Sequence, residues 1–257
     1  GATRGISYAP SVKAFANQRR FAKASTAPRP FIGVGNPVFE GGGGLTALAQ
    51  HCQTEGPTPS ALIRGLAPLP GTADELRAVS DFLGSEQAEV ILASNATEAV
   101  LRERELDQYR ILYFATHGLL PGELKCQAEP GLALTAPATS VSRDNDGLLT
   151  AAEVAELRLD ADLVVLSACN TGGGADQGGF GGEALSGLAT SFFQAGARAL
   201  IVSHWQVESQ ATTRLMSSAF GKLGRASGPG IADALRDAQF ELAVQEATIH
   251  PFFWAAF

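Results

Sequence analysis

The sequence predicts an α/β protein, a three-layer α/β/α sandwich around a mostly parallel sheet of about six strands. Short apolar runs alternate with helical patterns along its 257 residues, as in parallel sheets joined by right-handed crossovers. Apolar residues make up 45% of the chain and charged residues 18%, which supports a large core and excludes general disorder. No apolar run reaches the roughly 18 residues that a membrane span requires, so we expect no membrane partner.

In the first half of the chain, apolar runs bounded by turn residues predict strands at 31–35, 89–93 and 110–115. A helix over 72–83 begins with the capping-box pattern Thr-x-x-Glu and ends at Gly84. A second helix is predicted from an N-cap at Asn95 to about residue 106. Residues 41–65 are rich in Gly, Thr and Pro and lack a period, which indicates a loop.

The second half opens with a possible short antiparallel strand at 131–135 and a capping box that begins a helix at Thr150. Two further strands are predicted at 162–168 and 198–203, and the first of them is a continuous apolar run typical of a strand buried on both faces. Between them a glycine-rich loop, 172–182, leads into a helix with the buried face Leu185, Leu188, Phe192 and Phe193. The chain closes with helices at 208–223 and 229–246, and with a run at 252–257 that predicts the start of a sixth strand.

Polar and reactive side chains follow three of the predicted strands, at the point where each strand ends. His117 follows the third strand, Cys169 the fourth, and the pair His204–Trp205 the fifth. Ligands of open parallel sheets bind beyond the carboxyl ends of the strands. The sequence therefore predicts a site that combines a thiol with an imidazole.

A thiol and an imidazole together can perform nucleophilic catalysis, because the imidazole removes the thiol proton and the thiolate attacks a carbonyl. Cys169 follows His117 by 52 positions, close to the separation of about 50 residues found in caspases. Taken alone, a cysteine after an apolar strand is usually a small core residue, and a histidine at a strand end is usually only hydrogen-bonded. Their joint placement and spacing favour a catalytic pair, with Cys52 and Cys126 incidental.

Six motifs in order resemble the CHAT domain, a family of caspase-like cysteine peptidases related to separase, gingipain and metacaspases. They are ATHG at 115–118, DGLLTAAE at 146–153, LSACNTG at 166–172, GEALSGLA at 182–189, SHWQV at 203–207 and HPFFWAAF at 250–257. The resemblance runs from about Tyr8 to the end of the chain. It implies a caspase-like sandwich over 31–257 and an enzyme that is usually bacterial. The final strand of the family normally continues beyond Phe257, so the resemblance implies a domain truncated in its last strand.

The resemblance implies a role for each matching residue. His117 is expected to be the general acid and base and Cys169 the nucleophile, while the backbone N–H groups of Gly118 and Cys169 form the oxyanion hole. No third side chain that would orient the histidine is identified. The expected activity is that of a cysteine endopeptidase acting on a protein or peptide. The alternative is a catalytically unused, protease-like scaffold that acts with tetratricopeptide-type domains, in the same chain or in a partner.

Specificity is expected to come from the segment after the fifth predicted strand, which contains Ser203, His204, Trp205 and Gln206. This segment has no arginine, which argues against recognition of aspartate. Asp146 could present a carboxylate to a basic side chain, but its place in Asp-Asn-Asp-Gly favours a turn residue. The loop 172–182, with seven glycines in eleven residues, could order when a substrate or partner binds, or could be a slack connection.

Charge is distributed unevenly along the chain. Residues 1–30 carry six basic and no acidic residues, while 31–257 carries all 26 acidic residues and the other 13 basic ones. The first 30 residues are therefore expected to be a basic arm or linker helix, and the acidic body is not expected to bind nucleic acid. Three widely spaced cysteines form neither a zinc motif nor a disulfide framework, which favours a cytoplasmic protein with no metal and no cofactor.

Overall fold

A computed structural model describes residues 5, 23–41, 59–84, 86–121, 129–138, 142, 144–168, 181–203, 205, 208–223 and 230–257, with backbone only for 181–186. Eight strands lie in these residues. They are β1 (Arg29–Pro37), β2 (Glu89–Ala93), β3 (Tyr109–Ala115), β4 (Gly118–Leu119), β5 (Gly131–Ala133), β6 (Leu148–Thr150), β7 (Leu163–Ser167) and β8 (Leu200–Val202). Five of them form a central sheet in the order β2-β1-β3-β7-β8, and every neighbouring pair in it is parallel.

Seven α-helices are described: α1 (Pro59–Arg64), α2 (Gly71–Leu83), α3 (Glu98–Arg102), α4 (Ala151–Glu156), α5 (Gly181–Ala195), α6 (Ser209–Leu223) and α7 (Ile231–Ala243). Short 3₁₀ turns lie at Leu106–Gln108, Glu246–Thr248 and Pro251–Phe253. Within the described residues, no helix combines the length and the apolar character that crossing a membrane requires.

The strands bury apolar side chains on both faces of the central sheet, because successive side chains of a strand point to opposite sides. Phe114 of β3 faces one side and contacts Phe192 of α5, with 5.5 Å between ring centroids. Tyr113 faces the other side, in a cluster with Leu76 of α2 and Phe220 of α6. Helices therefore cover both faces, which confirms the predicted three-layer sandwich.

The predicted sixth strand is wrong for the described chain, and the central sheet has five strands rather than about six. The aromatic run at its end begins with a 3₁₀ turn, Pro251–Phe253, instead of an extended strand. His250 caps this turn, since its Nδ1 accepts a hydrogen bond from the backbone N–H of Phe252. Proline at the first helical position also favours the turn, because its fixed φ matches a helix.

Two predicted helix starts differ from the structure. The N-cap of α3 is Thr97 rather than Asn95, since the Thr97 side chain accepts a hydrogen bond from Val100 N. The hydroxyl of Thr72, predicted to cap a helix, instead donates to the Leu69 carbonyl and accepts from Asn36 N. It therefore joins α2 to β1.

Of the other elements predicted from local sequence patterns, some are confirmed and some differ from the structure. The capping box of Thr150 and Glu153 at the start of α4 is confirmed in both of its hydrogen bonds. The region predicted as loop contains α1, and α5 begins at Gly181, inside the predicted glycine loop. The short antiparallel strand is confirmed as β5, in a small sheet ordered β4-β5-β6.

Candidate active site

His117 lies at the carboxyl edge of the central sheet, between β3 and β4. Its side chain is buried, with the residue only 4% exposed. The ring Nε2 lies 2.8 Å from the carbonyl oxygen of Ala67, and the Phe39 ring packs beside it with 5.3 Å between centroids. The imidazole is therefore fixed in orientation by one hydrogen bond and one aromatic contact.

The partner of Nε2 determines the state of the other ring nitrogen. A carbonyl only accepts hydrogen bonds, so Nε2 carries a proton and donates it to Ala67. Nδ1 of His117 is buried and has no hydrogen-bond partner within the described part of the chain. Burial lowers the pKa of His117, and the Ala67 carbonyl opposes this effect in part. The ring is therefore neutral at neutral pH, with an Nδ1 lone pair that can take up a proton.

Gly118 lies directly against the chain that leads to the predicted nucleophile. A Cβ at Gly118 would lie 2.0 Å from the carbonyl oxygen of Ala168, a distance that no side chain could occupy. Ala115 of β3 pairs with Ser167 of β7, and His117 and Cys169 each follow two residues later in the sequence. Cys169 itself lies outside the described residues.

The small sheet determines where the backbone N–H of Gly118 points. Ala133 N donates to His117 O over 2.9 Å, and Gly118 stands opposite Leu132 in the antiparallel ladder. Gly118 and Leu132 are therefore a pair that exchanges no hydrogen bond, and the Gly118 N–H points away from β5. In that direction it can serve a substrate oxygen instead of the sheet.

Asp146, one of the predicted pocket residues, is held in a turn. Its Oδ1 accepts a hydrogen bond from Leu148 N over 2.9 Å, and its carbonyl accepts one from the Ser60 hydroxyl over 2.7 Å. Partial burial raises the pKa of Asp146, although the Leu148 hydrogen bond acts in the opposite direction. The next residue, Gly147, has φ +95°, and a Cβ there would lie 2.6 Å from that of Ala136.

The turn at Asp146 lies at the same end of the small sheet as His117. Leu148 pairs with Ala133, whose N–H donates to the His117 carbonyl. Neighbouring strands lie about 4.8 Å apart, so the backbone of this turn lies on the order of 10 Å from that of His117. Asp146 is therefore near the site, but its carboxylate is already engaged with its own turn.

The other predicted pocket residues follow β8. Ser203 is buried, and its hydroxyl donates to the Leu166 carbonyl of β7 over 3.2 Å. Trp205 is half-buried, and its Nε1 donates to the Phe252 carbonyl over 3.0 Å. His204 and Gln206 lie outside the described residues, as do Cys52, Cys126 and the predicted loop from residue 172 to 180.

A small apolar cavity lies beside Gly118. It is lined by Gly118, Leu119, Gly131, Leu166, Ala168 and Leu188, among others. None of these lining residues carries a charge. Within the described residues, no group of three histidine, cysteine, aspartate or glutamate side chains has a metal-binding arrangement.

The group that orients His117, the carbonyl of Ala67, was not predictable from the sequence. Every residue except proline offers the same backbone donor and acceptor, so a carbonyl leaves no signal in the sequence. The region just before it was predicted as loop, although it contains α1, and Leu66 after that helix is buried. This packing brings Ala67 to the histidine.

The fold and this edge of the sheet define a caspase-like, protease-related α/β protein. The family model of the CHAT domain matches residues 2–257, so the chain belongs to the CHAT domain family. No curated protein matches the chain at a significant level.

Proposed function

We propose that the protein is a cysteine endopeptidase that cleaves a protein substrate with Cys169 as nucleophile and His117 as general acid and base. The observation that supports this proposal most strongly is the contact between Gly118, the neighbour of His117, and Ala168, the neighbour of Cys169. The unpartnered Nδ1 of His117 supports it further. Membership of a protease-related family agrees with this chemistry.

In the first step, Nδ1 of His117 takes the proton of the Cys169 thiol, and the thiolate attacks the carbonyl carbon of the scissile peptide bond. The oxyanion that forms accepts hydrogen bonds from the backbone N–H groups of Gly118 and Cys169. His117 then gives its proton to the departing amine as the C–N bond breaks, which leaves a thioester on Cys169.

Water completes the reaction. His117 removes a proton from a water molecule, and the hydroxide attacks the thioester carbon. The C–S bond then breaks to release the acid, and His117 returns its proton to the sulfur, which restores the thiol and the neutral imidazole. The imidazole is positively charged between the two proton transfers. Its hydrogen bond from Nε2 to the Ala67 carbonyl strengthens in that state, because a charged donor forms a stronger bond.

For the substrate pocket we propose the segment of Ser203, His204, Trp205 and Gln206, with Asp146 at its border. The anchoring of Ser203 to β7 keeps the start of this segment beside the nucleophile strand. Because the Asp146 carboxylate is engaged with Leu148 N, we expect Asp146→Asn to change the preference for a basic side chain only slightly. Cleavage rates of matched peptides with lysine, glutamine and leucine before the scissile bond measure this preference.

We also propose a cellular compartment and a regulatory domain for the enzyme. Three widely spaced cysteines are typical of a chain without disulfides in a reducing compartment, and we propose the cytoplasm of a bacterium. A tetratricopeptide-repeat domain, in the same chain or in a partner, is the proposed regulator. We expect the isolated chain to be weakly active and such a domain to raise turnover without moving the cleavage site.

The test is a peptide library incubated with the purified protein and with Cys169→Ala, His117→Ala and Cys52→Ala. We expect cleavage by the parent and by Cys52→Ala. His117→Ala should be slower by about 10²- to 10⁴-fold, as is usual for loss of a general base, and Cys169→Ala should be inactive. Equal cleavage by Cys169→Ala would refute Cys169 as the nucleophile, and no cleavage by the parent with its partner domain present would favour the scaffold function instead.

A further inference from the structure

A buried carboxylate lies beneath the carboxyl edge of the sheet, outside the catalytic pair. Glu75 of α2 is 2% exposed, and its carboxylate accepts a hydrogen bond from the hydroxyl of Tyr113. The Ser167 hydroxyl lies close enough to both groups to lower the pKa of Glu75 and of Tyr113 through side-chain hydrogen bonding. Around these three polar groups the core is apolar, with Phe31, Leu76, Val79 and Phe220 on the same face of the sheet.

An ionised acid in such a core is not expected to improve stability. Removing a carboxylate from water is unfavourable even when hydrogen bonds replace part of its hydration, and apolar replacements of buried ionic groups are often as stable or more so. The acid does fix the positions of its neighbours, since its oxygens accept hydrogen bonds only from donors at suitable distances and angles. A role in positioning therefore explains Glu75 better than a role in packing.

The three groups join elements that lead to the two proposed catalytic residues. Tyr113 lies in β3, four residues before His117, and Ser167 is the last residue of β7, two residues before Cys169. Glu75 holds both strands from a single helix. A displacement of the end of β7 relative to β3 would break one hydrogen bond or the other.

The segment that contains Glu75 also holds the histidine. The Ala67 carbonyl accepts from Nε2 of His117, and the Thr72 hydroxyl accepts from Asn36 N at the end of β1 over 2.8 Å. Within nine residues, 67–75, the chain thus contacts the ends of β1, β3 and β7. One segment orients the imidazole and fixes the strand that delivers the thiol.

We propose that Glu75 is a positioning residue for catalysis, which acts through Tyr113 and Ser167 to keep Cys169 within reach of Nδ1 of His117. This inference rests on the proposed function, since it requires the pair to react together. A displacement of about 1 Å in such a pair can lower a reaction rate by about 10²-fold. Loss of the Ser167 or Tyr113 hydroxyl should therefore lower the reactivity of Cys169 while the fold persists.

The test measures alkylation of each cysteine by iodoacetamide at pH 7.5, with quantification by mass spectrometry. The variants are Ser167→Ala, Tyr113→Phe and Glu75→Gln, and His117→Ala reports the rate without the imidazole. Thr248→Val is the matched control, because it removes a buried hydroxyl that donates to Leu242 O at the end of α7 and takes no part in the hydrogen bonds around Glu75.

We expect the three network variants to lower the Cys169 rate by tenfold or more, toward that of His117→Ala. Thr248→Val should keep the parent rate, and the rates of Cys52 and Cys126 should be unchanged throughout. General loosening of the fold would instead raise the rates of several cysteines together, and that pattern would overturn the inference. If Glu75→Gln does not fold, Ser167→Ala and Tyr113→Phe give the answer.

Failure of this inference is distinguishable from failure of the proposed function. If the parent Cys169 reacts faster than in His117→Ala but the folded network variants match the parent, Glu75 has no positioning role and the catalytic pair stands. If the parent Cys169 reacts no faster than in His117→Ala, the pair itself is absent, and the positioning role is refuted with it.

Discussion

The two ends of the central sheet are built from different kinds of interaction. At the amino end, charged side chains are paired: Arg198 with Asp160, Arg110 with Asp162, and Arg104 with Glu89. At the carboxyl end, two non-glycine residues have a positive φ, Asn36 at +45° and Ala93 at +53°. His117 adds a buried nitrogen with no described partner at that end.

This difference indicates how one sheet serves both stability and chemistry. The left-handed conformation is unfavourable by about 1–2 kcal/mol for a residue such as alanine, and such strain concentrates at functional sites. The paired charges at the amino end also hold the N-terminal segment, because Thr26 N and its hydroxyl both bind Asp160 Oδ2. Changes at the carboxyl end should therefore affect activity most, and changes at the amino end should affect stability alone.

The largest effect is expected from Gly118→Ala. Its Cβ would meet the Ala168 carbonyl at 2.0 Å, so the two strand ends must separate and the proposed oxyanion donor must move. We expect activity to fall by about 10³-fold, the upper range for loss of such a donor. Stability should fall by about 1–3 kcal/mol, as overpacking usually causes.

Gly230→Ala is the matched control for Gly118→Ala, since nothing lies within 4 Å of its added Cβ. It should leave activity unchanged and lower the free energy of unfolding by less than about 1 kcal/mol, because Gly230 is the N-cap of α7, where alanine is less favourable than glycine. An active, normally stable Gly118→Ala would show that the contact with Ala168 does not shape the site.

The second-largest effect is expected from the titration of Glu75, near the carboxyl end of the sheet, which should make the free energy of unfolding depend on pH. Burial raises the pKa of Glu75 to about 7 from an ordinary value of 4.5, against the hydrogen bonds from Tyr113 and Ser167. The folded protein therefore holds this proton more tightly than the unfolded chain. The resulting stability is fully present below pH 4.5 and is lost as the pH rises from 4.5 to 7, by about 3 kcal/mol in total.

Urea unfolding between pH 4 and 8 measures this dependence, and Glu75→Gln should make it shallower. Glu98 at the start of α3 should act in the same direction, because burial raises its pKa to about 7 against a hydrogen bond from Gly147 N. Glu98→Gln is therefore a second arm of the experiment. A pH dependence that neither variant alters would contradict the assignment.

The smallest effect is expected from Asp160→Asn at the amino end. The Arg198 side chain, together with hydrogen bonds from Thr26, holds the pKa of Asp160 at about 2. Its contribution is present above the ordinary pKa of 3.8 and is lost as the pH falls toward 2, opposite in sign to that of Glu75. We expect a loss of at most about 1 kcal/mol at pH 7, as for surface ion pairs, and unchanged peptide cleavage.

The strands of the central sheet were predictable because each is an apolar run that ends at turn residues, and this also located the edge with His117. The interactions that support His117 were not predictable. Glu75 was assigned to a capping box, and only the packing of α2 on the sheet shows that its carboxylate faces Tyr113. β4 and β6, of two and three residues, are too short to show an alternating pattern.

The same limit explains the error at the end of the chain. The aromatic residues at 252–257 have strand propensity, but local capping by His250 and the fixed φ of Pro251 produce a turn. Propensity describes single residues, whereas the conformation there depends on two adjacent ones acting together. The strand-end pattern, the spacing and the family resemblance predicted the pair of His117 and Cys169, but none of them predicted the Ala67 carbonyl or the role proposed for Glu75.

The most direct test of the central claim, that Cys169 and His117 form a reactive pair, is labelling with a peptide chloromethyl ketone, followed by mass-spectrometric mapping. The reagent alkylates a thiolate, so the cysteine with an imidazole neighbour should react first. We predict that Cys169 is labelled before Cys52 and Cys126, and that His117→Ala removes this preference. First labelling of Cys52 or Cys126, or a preference for Cys169 that survives in His117→Ala, would contradict the claim.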